Sequence, residues 1–237
     1  MASPLTQRQP IDWQQVLLLT ALMIAVILAW NTWAVYPLKI LVVFFHELSH
    51  ALAAWVTGGH VVGIQLNAAE GGLCITAGGS AFLILTAGYL GSLVWGGVIM
   101  NLAARTRADK VLAVFLGVLL LTVTVWLVRP VLGFGFLFGM VTGLAFVVSG
   151  LKLPHSVNDV LLKVVGLTSC LYAVLDIKSD ILSRPNMCSD AYRLSELTRL
   201  PVVFWGVLWF VAAIGLGGYF LLTACRARTV SGTPDAP

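Results

Sequence analysis

Seven long apolar stretches, separated by short polar ones, run through the chain at about 16–36, 38–57, 80–101, 111–128, 131–150, 157–177 and 202–224. Each is close to the about 20 residues that carry a helix across a bilayer. In hydrocarbon every backbone N–H and C=O must bond internally, so these stretches are predicted to be helices. Aromatic residues mark their ends: Trp13 precedes the first, Trp30, Trp33 and Tyr36 follow it, and Trp205 and Trp209 lie near the start of the last. That is where interfacial belts form. The expected fold is an all-α polytopic membrane protein, a bundle of six or seven transmembrane helices. It is read as one domain over 1–237, with short polar tails at 1–15 and 225–237.

One segment breaks the helical pattern. Val62, Ile64 and Leu66 alternate, Ala68-Ala69-Glu70-Gly71-Gly72 offers a turn, and Leu73 and Ile75 alternate again. The glycine pairs Gly58-Gly59 and Gly78-Gly79 bracket it, which predicts a β-hairpin over 61–76. It contains no Lys or Arg, which suits a membrane-associated hairpin, and the alternative is an irregular connector. Gly88, Gly91 and Gly96, and Gly135, Gly139 and Gly143, recur at helical spacing and read as close-packing faces.

Composition agrees with the pattern. Of 237 residues, 59% are hydrophobic and 10% charged, with a mean hydropathy of +0.96. Soluble domains carry about 25% charged residues, so this chain cannot cover a surface facing water. The net charge of +4 comes from residues scattered among loops, which excludes a nucleic-acid-binding face. Their division between the two sides does not decide orientation. Cys74, Cys170, Cys188 and Cys225 share no metal-ribbon or disulfide spacing. The first apolar run lacks a small-residue cleavage site and reads as a retained anchor.

Ionisable groups inside membrane helices are costly and by default signal function. The second run contains His46-Glu47-Leu48-Ser49-His50. Histidines four apart on a helix project from one face, so both imidazoles can hold one zinc while Glu47 reaches the open position as base. Two core histidines with a salt-bridged Glu47 would be the structural alternative. A third ligand must come from elsewhere. Asp176 at the end of the sixth run is the first choice and Asp180, one turn on, the second; His60 and His155 remain open. Asp109, Asp159, Asp190 and Asp235 fall in loops or near helix ends.

The stretch HELSHALAAWVTGGHVVGIQL, the run AGYLGSLVWGG and the later LYAVLDIKSD resemble the site-2 protease class of intramembrane zinc metallopeptidases, in its small bacterial branch without a PDZ domain. The resemblance implies a helical bundle with zinc held by His46, His50 and Asp176, Glu47 as general base, and a membrane-embedded hairpin after the motif helix. The chain differs from the family pattern at Ser49, where glycine is common, and at Ile177, which follows the aspartate where the family has glycine. The implied protein sits in the cell membrane and hydrolyses peptide bonds of membrane-protein or peptide substrates, with the lipid bilayer as its surroundings. A non-catalytic scaffold or regulatory relative and a metal transporter are the competing classes. The intact Glu47 opposes the first, and the lack of a repeated pair of broken helices opposes the second.

Overall fold

The computed structural model describes residues 10–182 and 189–226, with side chains omitted for 179–182. Its elements are α1 (Trp13–Leu28), α2 (Tyr36–Val56), β1 (His60–Leu66), β2 (Gly72–Ala77), α3 (Ala81–Arg105), α4 (Asp109–Leu127), α5 (Phe134–Lys152), α6 (His155–Leu182), α7 (Asp190–Thr198) and α8 (Val202–Ala224). Among the described residues, six helices are long and apolar enough to span a membrane: α2, α3, α4, α5, α6 and α8. The first apolar run yields a helix of only 16 residues, because the chain turns after Leu28. The protein is thus a helical bundle with six candidate spans and one small hairpin, and the Asp12 N–H at the start of α1 donates to the Cys225 carbonyl at the end of α8 at 2.8 Å.

The element ends follow local chemistry. Asp12 accepts from the N–H groups of Gln14 and Gln15 to cap α1, Ser80 caps α3 and a proline occupies the first turn of α2. Each supplies or removes a demand of the unsatisfied first-turn donors.

Most of α2 is enclosed by its neighbours, with Ile40, Phe44, Phe45, Leu48, Ala51 and Ala54 almost fully buried. Small residues let the other helices close in. A Cβ on Gly143 of α5 would meet Leu121 of α4 at 2.8 Å, and one on Gly139 would run into Thr124 Oγ1. On α3, a Cβ on Gly96 would come within 2.5 Å of Ser169 of α6.

The hairpin forms where alternation and glycines predicted it. β1 and β2 pair antiparallel with Ile64 opposite Cys74 and Leu66 opposite Gly72, and a register shift lies between Val61 and Gly63. At the tip, Asn67 Oδ1 accepts from the N–H groups of Ala69 and Gly71. The outer side of β1 is partly covered: the Arg129 N–H donates to the Ile64 carbonyl at 2.8 Å, and Ile64 bridges to Val128. Both strands pack on α2, and the Cys74 N–H of β2 reaches Glu47 there.

Candidate metal centre

His46 and His50 lie one turn apart on α2, their rings edge to face with centroids 4.7 Å apart. His50 is buried, and its Nδ1 stands 2.6 Å from the Ile84 carbonyl of α3. A carbonyl can only accept, so Nδ1 carries the proton and Nε2 is left to face the cavity. Such an outer partner fixes tautomer and ring orientation in metal-binding histidines. His46 packs edge to face on Tyr89, centroids 4.9 Å apart.

The third group is Asp190, at the start of α7. Its Oδ2 lies 3.0 Å from His46 Nε2 and 3.1 Å from His50 Nε2. Ser189 caps α7 by accepting from the Tyr192 N–H. Ala191 and Leu194 are buried with Tyr89, Trp205 and Trp209, and Trp205 Nε1–H donates to Thr198 Oγ1. These contacts hold the short helix, and with it the carboxylate, over α2. Burial alone would raise the Asp190 carboxyl; when the two imidazoles are protonated, their charge and their Nε2–H donors outweigh that rise and hold the group below the usual carboxylate range.

Among the described residues, His46, His50 and Asp190 form the cluster whose ligand atoms all lie within 4.8 Å of one another. Tetrahedral zinc with bonds near 2.0–2.1 Å sets neighbouring ligand atoms about 3.3 Å apart. The nitrogen–oxygen separations here are within a few tenths of that, and two imidazoles with a carboxylate are a donor set zinc accepts. The residues fit the ion.

Glu47 lies beside this cluster with 5% of its surface exposed. Its carboxylate accepts from the Cys74 N–H of β2, and a Cβ on Gly72 would run into its Oε1. Gly88 of α3 packs as tightly on the other side, where a Cβ would strike His46 Nε2 and come within 2.7 Å of His50 Cε1. Glycines at these two positions let a strand and a helix close on the motif.

A cavity of about 470 Å³ opens over the cluster, with Glu70, Gly72, Cys74, Tyr89, Tyr172 and Asp176 in its walls. Asp176 is close enough for its charge to act on His46, but Asp190 is the carboxylate that contacts both imidazoles. The Asp180 side chain lies outside the described residues. His60 is exposed at the start of β1, and His155 pairs with Asp109 at 2.7 Å; neither is in the cavity wall. Sequence reasoning missed Asp190 because it follows a polar segment and belongs to a helix too short to span. The available signal was local: Ser189 as a cap, then Ala191 and Leu194 at the spacing of one buried face.

Comparison with curated proteins and with solved structures returned no match. The model of the family described as peptidase M50B-like matches residues 19–219. With six apolar helices over most of that span, this multi-pass integral membrane protein belongs to the peptidase M50B-like family, membrane metallopeptidases of the site-2 protease kind.

Proposed function

We propose that the protein is a zinc-dependent intramembrane peptidase, with His46, His50 and Asp190 as metal ligands and Glu47 as general base. The observation that carries this reading is the His50 ring. Its Nδ1–H is committed to the Ile84 carbonyl, so in the neutral ring a lone pair on Nε2 faces the Asp190 carboxylate at 3.1 Å. Two electron-rich atoms at that distance repel unless a cation or proton lies between them. A zinc ion held by His46, His50 and Asp190 would polarise a substrate carbonyl and lower the pKa of water towards about 7. The sequence expectation for the third ligand, Asp176, gives way in this proposal to the carboxylate in contact.

Glu47 takes a proton from water through its carboxylate and delivers it to the leaving amine. The Cys74 N–H orients this carboxylate. Positioned acid–base groups contribute about 10²–10⁴-fold to rate.

A peptide bond within a helix must be unwound before water reaches it, and unwound backbone in lipid needs partners. An exposed strand edge supplies main-chain bonds with little demand on sequence. Ile64 sends its carbonyl outward to Arg129, and its partner Cys74 sends its N–H outward to Glu47. By the alternation of an antiparallel ladder, Gly72, Cys74 and Thr76 point their backbone groups away from β1. In this reading β2, through its outward groups other than the Cys74 N–H that Glu47 holds, receives an extended stretch of a membrane-protein substrate beside the metal. The test is metal dependence: purified protein should contain one zinc per chain and cleave single-span peptides. Chelation should abolish cleavage, and added zinc should restore it. Cleavage that survives complete removal of metal would sink the proposal.

A further inference from the structure

We infer that Lys39 and Glu70 form a positioning pair, which fixes the hairpin tip on α2 and thereby holds β2 against Glu47. The catalytic consequence rests on the peptidase reading above; the placement of the hairpin does not.

Lys39 lies on a spanning helix with only 10% of its side chain exposed, and its Nζ is 3.3 Å from Glu70 Oε1. The Trp30 ring covers the ammonium at 4.9 Å. One turn earlier, Tyr36 Oη–H donates to the Ala68 carbonyl at 2.7 Å. The tip is therefore tied to the beginning of α2 at two points. Glu70 has φ +61°, a left-handed conformation in which side chains other than those of Asn and Asp are uncommon. Glycine would be at home there, so a glutamate at this position points to a use for its carboxylate. Two residues on, Gly72 abuts Glu47, and two further on, the Cys74 N–H reaches the same carboxylate. A shift of the tip would move both contacts. With 31% of the Glu70 side chain exposed, the pair contributes little net stability; what it supplies is register and place.

The test uses the zinc-loaded 237-residue chain with Lys39→Met, Glu70→Gln, the double variant Lys39→Met/Glu70→Gln and the charge swap Lys39→Glu/Glu70→Lys. Cys74 on β2 is a built-in reporter, since it is only partly exposed. Site-resolved mass spectrometry of N-ethylmaleimide labelling reads its accessibility without reference to activity. Labelling of Cys74 should rise at least fivefold in Lys39→Met, Glu70→Gln and the double variant, and fall back towards wild type in the swap. Zinc content should stay at one per chain, and kcat for a single-span peptide should fall more than KM rises, because both displaced contacts are on Glu47. If Lys39→Met does not fold, Glu70→Gln, altered at the cavity edge, carries the same expectation. Unchanged Cys74 labelling in the folded single variants overturns the inference. If labelling rises but even wild type cleaves nothing, the positioning pair stands and the peptidase reading fails.

Discussion

His46 and Asp190 are separated by 144 positions in the chain, yet Nε2 of one stands 3.0 Å from Oδ2 of the other. This contact joins the motif helix α2 to the short helix α7. If the proposed zinc site is right, Asp190→Ala is equivalent to losing either histidine, because a site left with two protein ligands holds zinc poorly. Metal analysis of the purified variants should find His46→Ala, His50→Ala and Asp190→Ala without stoichiometric zinc, and Asp176→Asn with it. Zinc retained by Asp190→Ala but lost from Asp176→Asn would reassign the ligand.

Gly72 and Gly88 lie where a side chain would collide with Glu47 and with the two histidines. Gly72→Ala should push against Glu47 and leave the ligands alone, reducing kcat about 10–100-fold with zinc retained, part of the range a base supplies. Gly88→Ala should displace His46 and lower zinc content itself. Parallel measurements of kcat and zinc would separate the two, and wild-type behaviour in both variants would refute the packing described.

Proline distinguishes the two sides of β2. Thr76→Pro removes an outward-facing N–H, a position strands tolerate, so the hairpin should persist while substrate binding weakens. Loss of one main-chain bond, worth about 1 kcal/mol, should raise KM about fivefold. Ile75→Pro removes a donor from within the ladder and should disturb the hairpin as a whole. Normal KM in Thr76→Pro would mean that β2 is not the edge that binds substrate.

Burial, and then the negative charges of Glu47 and Asp190, push the Cys74 thiol up from 9.0 to about 12. It should therefore be protonated at pH 8, and Cys74→Ser should keep full zinc content. In the unfolded chain the thiol ionises near its ordinary value. The folded state then holds a proton the unfolded state has released, so stability falls as pH rises from about 9 towards 12. Thermal unfolding of wild type and Cys74→Ser should diverge only above pH 9, with the serine variant less sensitive. Identical pH profiles would show that Cys74 ionises freely.

The spans were legible because lipid demands long apolar helices, and the hairpin because strand alternation and bracketing glycines survive in a single sequence. His46, Glu47 and His50 could be paired from spacing alone, since a helix puts positions i and i+4 on one face. Asp190 could not, because its partners are brought to it by the packing of α7 on α3 and α8, a relation of distant segments. Asp176 drew attention for a sound physical reason, as a carboxylate closing an apolar helix. The structure does put it in the cavity wall, while the contact with both histidines belongs to Asp190. The first apolar run shows a further limit: hydropathy did not reveal that the helix ends at Leu28.

Glu47 is proposed to perform chemistry beside a metal that it does not bind. Glu47→Gln preserves the size of the side chain and its contact with the Cys74 N–H, and removes only the ability to take a proton. Zinc content and cleavage of a single-span peptide should be measured on the same preparation of this variant and of wild type. One zinc per chain is expected in both, with cleavage lowered at least 100-fold in Glu47→Gln. Wild-type cleavage by Glu47→Gln would contradict this role of Glu47.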